Sequence, residues 1–415
     1  MSPTFRRPGL VCTDRFLDVP LDHADPGGDT IEIYAREVVA PGREDDDLPW
    51  LLFLQGGPGH KATRPGGPAA WLGRALQDYR VLLLDQRGTG RSTVANRQTL
   101  PADPAEAARR LRHFRADSIM RDAELLRRAL AGDRPWSVLG QSFGGFCAVT
   151  YLSLAPEGLR EVFITGGLPS LTAGPDEVYR AAYPRVLAAN ERYFERYPAD
   201  RDLARRVMDH LAEHDVRMPG GERLTRRRFQ TLGHGFGSSA DFDVLHHLLE
   251  EAFAGGQISD VFLRGVDARV SYAANPLYAV LHEAIYCQGG ASEWSAHRVL
   301  EEFPEFADRF VGEMIYPWFF DEDPALRPLK ECADLLARHR DWPRLYDPDR
   351  LAANTVPVAA AVYHDDMYVD REHSLETAAA IRGLRPWITN EYAHNGLSAD
   401  ARVLDRLIGM VRGRL

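Results

Sequence analysis

Cysteine is scarce in this chain, with only four residues. Cys12, Cys147, Cys287 and Cys332 are widely scattered and form no metal-type spacing, so no disulfide framework is implied. Cys147 fits a small buried residue. A basic excess is also missing. Lys and Arg total 50 against 60 Asp and Glu, a net charge of −10, which argues against a nucleic-acid binder. The densest basic run, Arg226-Arg227-Arg228, reads as a solvated helix face. No apolar run is long enough to span a bilayer, and the charged start, Met1 to Pro8, has no apolar core behind it. Neither a membrane span nor a signal peptide is expected, and a cytoplasmic location would keep the thiols reduced. No repeat, low-complexity segment, nucleotide loop or metal-ligand cluster stands out, so no cofactor and no metal are implied. Nothing in the sequence sets an oligomeric state. At 415 residues, 45% hydrophobic and 27% charged, the chain suits one large globular domain with an insertion, or two domains.

What is present is a serine on a predicted turn. Gly140-Gln141-Ser142-Phe143-Gly144 spells G-x-S-x-G between a strand-like run, Trp136 to Leu139, and a helix-like run, Gly145 to Leu154. Such a turn exposes the hydroxyl, and its glycines avoid collisions with neighbouring backbone. The letters alone fit a plain Gly-rich turn equally well. Leu51 to Leu54 is a second strand-length run, followed by Gln55-Gly56-Gly57-Pro58-Gly59, whose unpaired N–H groups suit an oxyanion hole or an ordinary tight turn. A third, Tyr79 to Asp85, precedes Gln86-Arg87-Gly88-Thr89-Gly90-Arg91-Ser92. Strands alternating with Gly-rich loops and a helix predict a doubly wound, mostly parallel α/β sheet, with its site at the carboxyl ends of the strands.

Taken together, these three motifs resemble the proline iminopeptidase (prolyl aminopeptidase) family of α/β-hydrolases, in its longer bacterial branch. The resemblance covers most of the chain. One departure is Gln55, where many relatives have His; oxyanion donors are backbone groups, so the change should not remove them. The resemblance implies a serine exopeptidase that releases N-terminal proline from small peptides.

Phe16 to Val39 predicts an antiparallel hairpin around Asp22 to Gly28. Glu161 to Gly167 is another buried strand. After Pro169 the texture turns helical, charged and aromatic, with amphipathic stretches at Val178 to Tyr197, Asp202 to His214 and Asp241 to Phe253. Residues 170–344 therefore read as a helical cap inserted between core segments 1–169 and 345–415. The core resumes at Val356 to Tyr363 and ends with a strand, Pro386 to Thr389, and a helix, Ala401 to Arg412.

A serine needs a base, and the base needs an orienting acid. In α/β-hydrolases these follow in the order Ser, Asp or Glu, His. The acid is expected after the strand that resumes the core, at Asp365 or Asp366; the family pattern favours Asp366. The base is expected after the last strand, at His394. His246 and His247 read as ordinary surface or satisfied histidines. Backbone N–H groups of Phe143 and Gly57 are the expected oxyanion donors, with Gly56 the alternative to Gly57. An aminopeptidase must also grip a free ammonium with carboxylates. By resemblance, Glu283 is one of these and Glu313 the second, with Glu293 as an alternative. Each could instead be a helix-surface glutamate. The competing activity is an esterase with the same triad and a different acyl pocket. A dehalogenase or epoxide hydrolase would place aspartate at position 142, and a dead binding module would lack the full Ser142, Asp366 and His394 set.

Overall fold

The computed structural model describes residues 3–415; Met1 and Ser2, which the reading of the chain start included, lie outside the described residues. The strands are β1 (Thr4–Arg7), β2 (Leu10–Pro20), β3 (Thr30–Val39), β4 (Trp50–Leu54), β5 (Arg80–Asp85), β6 (Trp136–Gln141), β7 (Leu159–Thr165), β8 (Phe253–Ala254), β9 (Gln257–Ile258), β10 (Val358–Tyr363) and β11 (Leu384–Thr389). Nine of them form one sheet in the order β1-β2-β3-β5-β4-β6-β7-β10-β11. From β5 to β11 the neighbours are parallel. The β1–β2–β3 meander is antiparallel and joins the rest through an antiparallel β3–β5 pair.

The apolar runs behave as parallel strands covered on both faces should. In β4, Leu52 and Leu54 enter one core layer, while Leu51 and Phe53 enter the other. The first layer holds the helices Ala116–Ala131 and Phe143–Leu154; the second is closed by the terminal helix, Ala401–Val411. Cys147 is fully buried in the first layer. The expected hairpin is the β2–β3 pair, with Leu17 opposite Ile33. Strand β1 was not legible, because its four residues are all exposed and offer no apolar alternation.

Between β7 and β10 the chain runs mainly through helices, among them Pro175–Arg196, Pro198–Glu213 and Ser239–Glu250. A hairpin too short to signal in sequence, β8–β9, interrupts them. The arginine run corrects one expectation. Arg226 and Arg227 are accessible, but Arg228 is only 3% exposed. Its guanidinium donates to Glu322 O at 3.0 Å and faces Asp323 at 3.5 Å and Glu222 at 3.7 Å, a set of partners that makes burial of its charge tolerable. No helix among the described residues is long and apolar enough to cross a membrane.

Candidate active site

The carboxyl ends of β4, β5, β6, β10 and β11 deliver, in turn, the Gly-Gly-Pro-Gly loop, the Gln86-Arg87-Gly88 loop, Ser142, Asp366 and the loop carrying His394. Ser142 has φ 53° and ψ −126°, a conformation that side-chain-bearing residues avoid. Holding it costs on the order of 1–3 kcal/mol and turns the side chain out of the strand–helix junction. Its neighbours explain the motif. A Cβ on Gly140 would stand 2.3 Å from Gly144 O, and one on Gly144 would stand 1.9 Å from Leu54 O. Both positions exclude any larger residue while the elbow keeps this shape.

Asp366 and His394 meet directly. His394 Nδ1 lies 2.7 Å from Asp366 Oδ2, and both side chains are almost fully buried. The other carboxylate oxygen accepts the N–H groups of Tyr368 at 2.9 Å and Val369 at 3.1 Å, which fixes the acid. Asp365 turns away to His364 at 3.1 Å and Arg192 at 3.7 Å, and is half exposed. Backbone packing also positions His394: its N–H donates to Gly237 O at 2.8 Å, so the helical segment touches it directly. With a carboxylate on Nδ1, that nitrogen holds the proton and Nε2 presents its lone pair. Nε2 is buried and has no hydrogen-bond partner among the described residues.

Ser142 is not hydrogen-bonded to His394 in this structure. The Gly166–Gly167 turn nevertheless lies against both. A Cβ on Gly166 would be 3.0 Å from His394 Nδ1, and one on Gly167 would be 2.4 Å from Ser142 O. Ser142 N also donates to Thr165 O at 3.0 Å.

The Gly-Gly-Pro-Gly loop is held by the Gln86-Arg87-Gly88 motif. Gln86 Nε2 donates to Gln55 O at 3.0 Å, so position 55 contributes a backbone carbonyl and its side chain can vary. Asp85 is fully buried and accepts from Ala62 N at 3.1 Å and Arg91 N at 2.8 Å. Arg87 is equally buried and bonds both oxygens of Asp122, at 2.7 and 2.6 Å. The N–H of Phe143 opens a helix and so lacks an intrahelical acceptor. No acceptor among the described residues takes the N–H of Gly57, which has φ 131°. A Cβ on Gly56 would sit 3.6 Å from Ser142 Oγ, which puts this loop beside the hydroxyl.

The glutamates separate. Glu313 Oε1 accepts from Tyr278 Oη at 2.7 Å. Burial pushes its carboxyl up to about 7, against the opposing pull of His394 and of the Tyr278 hydrogen bond. Glu283 instead spends both oxygens on the start of the helix Ser295–Leu300, accepting Ser295 N at 3.1 Å and Ala296 N at 2.8 Å. It too is raised to about 7 by burial. Tyr286 nevertheless lies within reach of the charges of Glu313, Glu283 and Asp366 together. Glu293 is further removed in role, paired with exposed Arg340 at 2.8 Å. His246 and His247 bond Asp200 and Glu250, at 3.0 Å each, outside the site.

Sequence reasoning missed the aromatic wall around Glu313. Tyr278 is buried with its ring centroid 5.1 Å from His60, 4.9 Å from His282 and 5.9 Å from His234. Burial depresses all three histidines, His234 to about 4 and His282 to about 3, so those two stay neutral at pH 7. For His394, burial pulls the same way, but the charge and hydrogen bond of Asp366 and the charge of Glu313 outweigh it and raise the imidazole above its ordinary value.

A mostly parallel sheet with a serine elbow after β6, an acid after β10 and its histidine after β11 defines an α/β hydrolase, and a family profile described as alpha/beta hydrolase fold matches residues 49–230. Over 413 residues, 97% of each chain, the sequence is 51% identical to a proline iminopeptidase of Aeromonas sobria. It is 35% identical to a proline iminopeptidase of Aspergillus aculeatus, covering 98% of this chain and 95% of that one. The chain belongs to the proline iminopeptidase family of α/β hydrolases.

Proposed function

We propose that this chain is a serine exopeptidase that releases N-terminal proline from small peptides, with Ser142, His394 and Asp366 as its triad. The observation that carries the reading is the buried His394: bonded to Asp366 through Nδ1, it leaves Nε2 unpartnered beside the turn that touches Ser142. His394 Nε2 takes the hydroxyl proton as Ser142 Oγ attacks the prolyl carbonyl. Asp366 keeps the imidazole in the right tautomer and stabilises the imidazolium. The N–H groups of Phe143 and Gly57 receive the oxyanion, each worth about 3 kcal/mol of barrier. The imidazolium then protonates the departing amine, and water, activated by the same nitrogen, frees proline from the serine ester. A shift of imidazole or hydroxyl on substrate binding completes the Ser142–His394 contact; such bonds commonly tighten only then.

Glu313 is the partner for the substrate ammonium. Glu283 supports it indirectly, by holding the helix Ser295–Leu300 in the wall of residues 170–344. That segment acts as the cap over core parts 1–169 and 345–415. The four free cysteines are all buried, which suits a cytoplasmic protein; fractionation that recovers the native protein outside the cell would refute that placement.

The test is hydrolysis of proline anilide against its N-acetylated form. The free amine should be cleaved and the capped one left nearly intact, with Ser142→Ala abolishing turnover. Equal cleavage of both would discard ammonium recognition and favour an esterase.

A further inference from the structure

A cleft of about 1220 Å³ opens beside the oxyanion loop, lined by Gln55, Gly59 and His60 on one side and by residues of the helical segment, from Ser271 to Leu277 and from Asp323 to Pro328, on the other. It starts one residue from Gly56, the glycine beside the Ser142 hydroxyl. Its volume far exceeds what one proline ring needs. Tyr278 packs against Gly59 so closely that a Cβ there would meet Tyr278 N at 2.6 Å, and Glu313 lies beyond Tyr278. Tyr278 thus connects the two regions, its backbone against Gly59 of the cleft wall and its hydroxyl on Glu313.

The charges of the cleft are arranged unevenly. Asp323 and Glu222 belong to the buried set around Arg228, and Asp323 also accepts Tyr272 N at 2.9 Å. Arg64 is committed to Asp85. Lys61 and Arg97 are different. Both line the cleft, both are exposed, and neither has an ion-pair partner among the described residues. They share a wall: a Cβ on Gly90 would touch Lys61 Cβ at 2.8 Å, and the segment leading to Arg97 is bridged to Gly88 through Val94. In a chain of net charge −10, two cations without ion-pair partners in a cleft that begins at Gln55 and Gly59 are a local reversal.

We propose that Lys61 and Arg97 form a subsite for the free α-carboxylate of the leaving peptide, so that the preferred substrates are short peptides with an unblocked C-terminus. The proposal rests on the peptidase reading above and adds the far end of the substrate to it. Exposed cations act through screened attraction, so the gain is modest, about threefold to tenfold in kcat/KM.

The experiment compares kcat/KM for prolyl-glycine, prolyl-glycyl-glycine and prolyl-glycyl-glycyl-glycine with their C-terminal amides, in the wild type and in Lys61→Gln, Arg97→Gln and the double variant. The acid-to-amide ratio should exceed one by the stated factor for at least one length. It should fall towards one in the double variant, and in the wild type as salt is raised. A wild-type ratio of one at every length overturns the subsite while proline anilide is still hydrolysed. A ratio that survives both substitutions overturns the assignment to Lys61 and Arg97. Failure to cleave the anilide would instead remove the peptidase reading, and the subsite with it.

Discussion

The hydroxyl of Tyr278 stands 2.7 Å from Oε1 of Glu313, its ring tilted against fully buried His282 and stacked on His60 of the oxyanion loop. A phenol in that place does two things. It fixes the carboxylate, and it favours its charged form against the burial that raises it. Through His60 the same ring braces the loop that carries Gly57.

Tyr278→Phe therefore keeps the ring and deletes one donor. Without it the Glu313 carboxyl titrates higher. Free-amine substrates should show a raised KM at pH 7 and an acid limb displaced upward, while an N-capped proline ester keeps its profile. The two pH profiles, measured side by side, check this; an equal loss on both substrates would mean that Tyr278 only maintains the fold.

The neighbouring aspartates give a sharper contrast. Asp366→Asn leaves the hydrogen-bonding shape but presents an amide to His394 Nδ1, favouring the wrong tautomer; kcat should fall roughly ten-thousand-fold. Asp365→Asn alters a half-exposed side chain with only His364 and Arg192 near it and should change kcat less than about twofold. Steady-state kinetics of the two variants decide the matter, and the reverse order would displace Asp366 from the triad.

How much of this could be read from the sequence follows from the physics of each residue. Ser142 was legible because the elbow needs glycines at fixed offsets, and those offsets are local. Asp366 and His394 were legible because chain order in a parallel sheet sends each to a strand end. The family pattern favoured Asp366 over Asp365, but which of the two meets His394 is visible only in the coordinates, since adjacent residues differ in which way they point. Tyr278 was invisible because its partners, His60 and Glu313, come from distant segments and an aromatic in a helix ordinarily signals core. Arg228 failed for the same reason: its burial depends on Asp323 and Glu222, which no local pattern links to it. Glu283 and Glu313 look alike as letters, yet one accepts backbone N–H groups and the other a phenol.

That last difference predicts divergent variants. Glu283→Gln replaces one acceptor facing a backbone N–H with a donor, at a cost of about 1–3 kcal/mol in stability. The folded carboxyl titrates at about 7, above its ordinary 4.5, so its neutral form is the favoured one in the fold. Its contribution is complete below the unfolded value and is lost as pH rises through about 7. The deficit of the variant should thus be largest at pH 4 and smaller at pH 8. Denaturant midpoints at both pH values check the sign, and discrimination between free and capped substrates should persist. Loss of discrimination with unchanged stability would make Glu283 a direct ammonium contact.

In the proposed mechanism, Glu313 and His394 together set the pH dependence of the reaction. As the proposed base, His394 would work only when neutral, and its imidazole is raised above its ordinary value by Asp366 and Glu313 despite burial. As the proposed ammonium partner, Glu313 would act only when charged, which in the free enzyme requires pH above about 7. Both requirements push the acid limb of kcat/KM upward, to about 7 or higher for free-amine substrates. The alkaline limb belongs to the substrate, whose ammonium is lost near pH ~8. A bell centred between these limits is expected for proline anilide. For an N-capped proline ester the ammonium is gone, so the profile should rise through the His394 titration and then stay level. Full activity on the anilide at pH 5, or an alkaline fall shared by the capped ester, would contradict this assignment of charges.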